Sequence, residues 1–316
     1  MSTQPNNFSP LDSAALGRVG VLYGGKSAER EISLQTGAAV MQALSELGVE
    51  HVGIDIGSSA IADIQAAQLD RAFIALHGPG GEDGRMQAVL EYLQIPYTGS
   101  DVQSSALAMD KLRSKQLWCG VGLPTPEFAV LNNNSDFSQV LNDLGGEAIV
   151  KPAHEGSSLG MARVSTVDEL QRAYQDAVSY DGSVLVERVI VGAEYTVAIL
   201  GDKALAPIKL ETDHQFYDYD AKYLANDTRY ICPCGLAKER ETELKNLALQ
   251  AFTSLGCRDW GRVDVMADAA GNFYLLEVNT VPGMTGHSLV PMAARAEGMG
   301  FNALVLAILQ ESVRRS

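Results

Sequence analysis

The chain has 316 residues, of which 46% are apolar, enough to bury a substantial core and to exclude intrinsic disorder. Its 24 basic and 39 acidic side chains leave a net charge of −15. No Lys or Arg run offsets that field locally, which argues against nucleic acid or anionic membrane as a partner. An anionic small substrate would need a locally cationic pocket or a divalent metal.

Residues 1–17 mix Asn, Ser, Pro and Gln and read as a poorly ordered leader. The polar start lacks a basic stretch followed by an apolar one, so a chain that stays where it is made is expected, and no apolar run approaches the ~20 residues that span a bilayer. Cys119, Cys232, Cys234 and Cys257 are too few and too irregular for a disulfide framework, so a cytoplasmic protein with reduced thiols is expected. Cys232 and Cys234 are one residue too close for a zinc half-site and lack a second pair.

Strands are predicted at 19–23, 51–56 and 72–76, with a helix over 33–47 that places Leu34, Ala38, Met41 and Leu44 on one face. This βαβ beginning predicts an N-terminal Rossmann-like parallel sheet. Gly24-Gly25 follows the first strand, and Gly78, Gly80, Gly81 and Gly84 follow the third. Both turns lie at strand carboxyl ends, where open α/β sheets bind ligands, although Gly24-Gly25 does not make the G-x-G-x-x-G of a dehydrogenase.

A helix over 104–120 leads to Leu123-Pro124-Thr125-Pro126, a boundary signal. Strands at 128–131, 148–152, 161–164 and 184–189 then alternate with helices over 136–144 and from Thr166-x-x-Glu169, a capping box. Such an order predicts an antiparallel α+β unit. Further strands follow from Glu194, then a polar aromatic stretch at 216–223, a helix over 239–255, a hairpin and a terminal helix. The expected division is an N-terminal α/β domain at 18–108, a central lobe at 109–190 and a C-terminal lobe at 191–316.

The hairpin carries the sharpest chemical signal. If Ala269 to Asn272 form a four-residue loop, Asp264 faces Glu277 and Arg262 faces Asn279. All four then share one face, while Val263, Val265, Leu276 and Val278 point into the core. Opposed carboxylates repel, so a cation is required between them. Arg262 is one, and magnesium is the other: two carboxylates and the Asn279 amide are hard oxygen donors that leave room for substrate phosphate. Either acid alone would pass for an ordinary salt-bridged surface residue.

Lys111, Lys151 and Lys222 are the candidate phosphate cations. Lys151 ends an apolar strand and leads into Glu155-Gly156-Ser157-Ser158-Leu159-Gly160, a loop whose N–H groups can wrap an anion without a Walker A pattern. The strand 184–189 is a candidate for the base edge, with Glu187 or Glu194 accepting from ribose hydroxyls.

Seven ordered segments together resemble the D-alanine–D-alanine ligase family of the ATP-grasp superfamily. They are Gly24-Gly25-x-Ser27-Ala28-Glu29-Arg30-Glu31, His77-Gly78-x-Gly80-Gly81-Glu82-Asp83-Gly84, Met109-Asp110-Lys111, Lys151-Pro152-x-x-Glu155-Gly156-Ser157-Ser158, Tyr217-Asp218-Tyr219-x-x-Lys222-Tyr223, Gly261-Arg262-x-Asp264 and Glu277-x-Asn279-Thr280-x-Pro282-Gly283-Met284-Thr285. The resemblance runs from about residue 18 to the end. It implies a two-lobed ATP-grasp fold behind the N-terminal domain, and ATP-dependent ligation of two D-alanines through an acyl phosphate for peptidoglycan precursors. It also implies Mg2+ or Mn2+, two ions, and a homodimer.

By that resemblance Glu29 meets the first substrate's ammonium, Ser157 and Tyr223 join it in a network, and His77 lies nearby. Lys111, Lys151 and Lys222 hold phosphates, Arg262 and Gly283 serve the oxyanion, Ser288 and Leu289 meet the second substrate's carboxylate, and Asp264, Glu277 and Asn279 bind metal. Lys26, Arg188 and Val281 depart from common family choices without touching an assigned role. Tyr223 favours an amine over a D-lactate hydroxyl as nucleophile. The rivals are a depsipeptide ligase, another ATP-grasp carboxylate–amine ligase, and a nucleotide-binding module without turnover, which would have no use for Arg262 beside its metal.

Overall fold

The structure is a computed structural model that describes residues 13–156, 159–211 and 228–313. In chain order its elements are β1 (Val19–Gly24), α1 (Arg30–Glu46), β2 (His51–Ile56), α2 (Ala60–Ala66), β3 (Arg71–Ile74), α3 (Arg85–Tyr92), α4 (Val102–Met109) and α5 (Lys111–Gly120). There follow β4 (Phe128–Leu131), α6 (Phe137–Asp143), β5 (Ala148–Pro152), β6 (Ala162–Val164), α7 (Val167–Tyr180) and β7 (Val184–Arg188). The chain then forms β8 (Gly192–Leu200), β9 (Lys203–Ala204), β10 (Ile208–Glu211), β11 (Arg229–Ile231), α8 (Lys238–Ser254), β12 (Trp260–Asp268), β13 (Phe273–Asn279), α9 (Leu289–Ala296) and α10 (Phe301–Val313).

Three sheets result. The first is parallel, in the order β2-β1-β3. The second is antiparallel, in the order β4-β7-β5-β6, with Leu141 of α6 and Leu170, Ala173 and Ala177 of α7 buried against it. The third runs β11-β10-β8-β12-β13, with β9 added to β8 and Leu244, Ala248, Ala251 and Phe252 of α8 packed on one face. Helices α9 and α10 close the N-terminal sheet, since Val290, Ala293, Leu304, Val305 and Ile308 share one core with Val19, Val21, Phe73 and Ile74. Among the described residues no single helix is long and apolar enough to cross a membrane.

Several expectations need correction. Leu16 is fully buried and its carbonyl accepts from Arg71 Nε at 2.8 Å, so the end of the stretch read as a leader is packed. The buried face of α1 is Ile32, Thr36, Val40, Ala43 and Leu44, rather than the stripe through Leu34 and Ala38. The helix is turned by its small and polar residues. Gly37 lies so close to β1 that a Cβ there would meet Tyr23 at 2.6 Å, and Ser33 Oγ donates to the Ala75 carbonyl while accepting from Gly24 N–H. The predicted single helix at 104–120 is two, α4 and α5, because Asp110 leaves helical geometry and caps α5 by accepting from Arg113 N–H. The break lets Lys111 N–H donate to the Ala153 carbonyl, which fixes the start of α5 on the central sheet.

The Thr166–Glu169 capping box forms in both directions at the start of α7. Thr166→Ala is therefore expected to lower unfolding free energy by about 1 kcal/mol in urea titrations, with kcat unchanged, because this end of α7 lies outside the cleft described below. An unaltered midpoint would contradict the box.

Candidate active site

The cleft lies between the central and C-terminal sheets. Lys151 from β5 and Glu187 from β7 line one wall, Glu194 from β8 with Asp264, Met266, Leu276 and Glu277 from the hairpin line the other, and Lys111 enters from α5. Arg262 pairs with Asn279 and Asp264 with Glu277 across β12 and β13, the register expected from sequence. The route to it differs. The turn end pairs Ala267 with Phe273, one residue off a four-residue loop, and an irregularity after Asp264 restores the register, leaving Leu276 unpaired. Consequently Leu275 is the fully buried residue, while Leu276, expected in the core, lines the cleft beside Met266.

Asp264 is held on several sides. Arg262 donates from Nε and Nη2 to its two oxygens at 2.9 and 2.8 Å, Thr196 Oγ1 donates at 2.6 Å, and Asn279 Nδ2 at 3.0 Å. Glu277 takes Lys111 Nζ at 3.2 Å, and the same ammonium donates to the Glu155 carbonyl at 2.7 Å. Each carboxylate of the cross-strand pair thus has a cation. Among the described residues no cluster of three or more His, Cys, Asp or Glu is arranged for a metal ion; this set supplies two carboxylates and an amide. Those donors fit a hard divalent cation, and the cations already drawn to them show the negative charge the face carries.

On the other wall, Glu187 is 3% exposed and takes two lysines on Oε1, Lys151 at 2.8 Å and Lys115, from behind the wall, at 3.1 Å. Burial works against its charged form, yet Lys115 and Lys151 outweigh it and hold the carboxyl below the usual range. Burial pushes the Lys115 ammonium down to about 8 against the pull of Glu187. Lys115 was not singled out from sequence, although it lies one helical turn beyond Lys111 and so shares its face. Arg188 turns to Glu127, just before β4, at 3.2 Å.

The N-terminal domain meets this cleft at its glycine turns. A Cβ on Gly78 would lie 2.8 Å from Glu29 Oε2, and one on Gly156 would lie 3.3 Å from the same oxygen, so Glu29 stands against the loop that leads to Ser157. His77 is buried: Nδ1 lies 2.8 Å from the Val281 carbonyl and Nε2 lies 2.9 Å from Thr36 Oγ1. Since a carbonyl only accepts, Nδ1 carries a proton. Thr36 Oγ1 accepts from Met284 N–H and can donate to Nε2, an arrangement for neutral imidazole. Burial likewise lowers the His77 pKa. Nδ1 therefore ties the turn after β3 to the segment after β13, while Nε2 anchors the ring to Thr36 of α1 in its own domain.

Ser288 Oγ accepts from Thr285 N–H at 2.9 Å, and a Cβ on Gly283 would meet it at 2.9 Å. Leu289 is buried at the start of α9, so only its backbone N–H is placed to meet a ligand. Ser157, Lys222 and Tyr223 lie outside the described residues.

The D-ala D-ala ligase C-terminus family matches residues 117–310, and the D-ala D-ala ligase N-terminus family matches residues 58–100. The chain belongs to the D-alanine–D-alanine ligase family. It is 64% identical over 302 residues to the D-alanine–D-alanine ligase of Saccharophagus degradans, covering 96% of both chains. The solved D-alanine–D-alanine ligase of Bacillus anthracis superposes with a TM-score of 0.86 at 36% identity, covering 95% of this chain and 98% of that one. Its complex with ATP gives 0.84 at 33% identity, with the same coverage. The family fold is the expected one, a parallel N-terminal sheet joined to two antiparallel lobes.

Glu82, quoted in the glycine motif but given no role from sequence, accepts from Gly78 N–H at 3.2 Å and Val281 N–H at 3.3 Å. Burial, with Glu29 close by, pushes its carboxyl up to about 8. The folded state then keeps that proton where the unfolded chain releases it, so stability is lost as pH rises from about 4.5 to 8. Glu82→Gln removes the titration. Urea unfolding at three pH values across that window is expected to show the wild type losing roughly 1–3 kcal/mol relative to the variant, whereas parallel profiles would contradict the shifted carboxyl.

Proposed function

We propose that this chain joins two D-alanines into D-alanyl-D-alanine at the expense of ATP, forming ADP and phosphate, in the cell-wall branch that builds peptidoglycan precursors. One observation carries the reading: Asp264 and Glu277 face each other on a cleft wall with Arg262 and Lys111 against them and Lys151 opposite. A face of that kind suits a triphosphate bridged by a cation. The solved ATP complex of a relative that shares the fold supports the nucleotide.

The γ-phosphoryl group passes to a carboxylate oxygen of the first D-alanine, releasing ADP. The second D-alanine's amine attacks the resulting acyl phosphate, the nitrogen gives up a proton, and phosphate leaves. Lys111, Lys151 and Lys222 hold phosphate oxygens, with Glu187 and Glu194 toward the nucleoside. Asp264, Glu277 and Asn279 would hold Mg2+ or Mn2+, which supplies charge neutralisation at the phosphates when bound. Glu29 holds the first ammonium beside Ser157 and Tyr223. Arg262 and the Gly283 N–H stabilise the tetrahedral oxyanion, preorganised donors whose value comes from a desolvated site. Ser288 and the α9 terminus take the second carboxylate. A cytoplasmic homodimer completes the reading.

Phosphate release from Mg-ATP is the test, with D-alanine, L-alanine, and D-alanine plus D-lactate supplied separately. Release with D-alanine and none with L-alanine is expected, with D-lactate adding little. No D-alanine-dependent release would overturn the assignment. In the same assay Arg262→Ala should lower kcat by about 10²–10³ if its guanidinium serves the oxyanion.

A further inference from the structure

Lys115 has no exposed surface and stands behind the cleft wall. Its Nζ reaches Thr125 Oγ1 at 2.7 Å, the Leu275 carbonyl at 3.4 Å and Glu187 Oε1 at 3.1 Å. Lys151, which does border the cleft, lies 2.8 Å from that same oxygen. One buried carboxylate therefore has two ammonium partners, only one of which can reach a ligand. A single lysine would have neutralised Glu187, and burying a second charged group costs stability unless it answers another need.

We propose that Lys115 is the permanent counter-ion of Glu187, which lets Lys151 turn to a nucleotide phosphate without stranding a buried carboxylate. This rests on the ATP-dependent reading above. When phosphate oxygens enter the cleft, Lys151 exchanges Glu187 for them while Lys115 stays in place. Without Lys115 the same movement leaves Glu187 charged, buried and unpaired, and that cost is charged against triphosphate binding alone. Adenosine draws nothing from Lys151, which then stays on Glu187 and keeps it neutralised even without Lys115, so the contacts Glu187 offers the nucleoside are kept. Lys115 is thus a positioning residue, acting through Glu187 on Lys151.

Isothermal titration of the full chain with Mg-ATP and, separately, with adenosine reads this difference. Lys115→Met is expected to raise the Kd for Mg-ATP by about tenfold or more while the Kd for adenosine stays within about twofold. Adding Glu187→Gln removes the charge that traps Lys151, so the double variant should recover most of the lost triphosphate preference. Lys115→Gln, which keeps a donor for Glu187 and Thr125 without the charge, carries the same test if the methionine variant does not fold. A merely structural lysine would lower Tm and weaken both ligands together, or neither. An unchanged ATP-to-adenosine ratio in the lysine variants, or a double variant no better than the single one, would overturn the role of Lys115. A wild-type chain that does not bind Mg-ATP would overturn the ligase reading itself.

Discussion

Two carboxylates placed opposite each other on neighbouring antiparallel strands repel, and the repulsion grows as the strands are drawn out of water. Asp264 and Glu277 are in that position, on strands whose other face, through Val263, Val265, Leu275 and Val278, is core. The arrangement holds because each acid draws a cation, Arg262 from the same strand on Asp264 and Lys111 from α5 on Glu277. The break at Asp110 that starts α5 is part of this, since it sets the helix N-terminus on the central sheet and brings Lys111 to Glu277. In a chain of net charge −15, the cleft sets Lys111, Lys151, Arg163 and Arg188 among its acidic residues, so the cations an anionic nucleotide needs are at hand.

A second set of contacts joins the N-terminal domain to this cleft. His77 and Glu82, both on the turn after β3, reach the carbonyl and the N–H of Val281, two residues beyond Asn279. Met284 N–H returns to Thr36 on α1. The segment after β13 is therefore clamped by neutral imidazole and by a carboxyl of raised pKa, which bind through hydrogen bonds without adding charge next to Glu29. Glu29 in turn abuts Gly78 of its own domain and Gly156 of the central lobe, so its carboxylate stands where the two meet. The positive φ of Gly78, +67°, suits it to that approach, where a side chain would collide with Glu29.

Much of this was readable in the chain. Alternation along the hairpin placed Arg262, Asp264, Glu277 and Asn279 on one face because a strand has only two faces, and the error of one residue at the turn was absorbed by the irregularity at Leu276. The capping box and the boundaries of β2, β4 and β5 follow from local chemistry and were equally legible. The buried face of α1 was not, because apolar periodicity gives no weight to Ser33 and Thr36, whose hydroxyls face the glycine turn and His77. Thr196 was invisible for another reason: β8 pairs with β12 across more than sixty residues, so its contact with Asp264 exists only once the sheet is assembled. Lys115 reads as a surface lysine in any helical pattern, and only the burial of Glu187 reveals its partner.

The central claim is that the paired strands form a cation-binding face for a bound nucleotide. Electron paramagnetic resonance of Mn2+ titrated into the full chain with a non-hydrolysable ATP analogue tests it directly. The account predicts a protein-bound Mn2+ signal that saturates for the wild type and is lost in Glu277→Gln. Equal Mn2+ binding by the two proteins would contradict it.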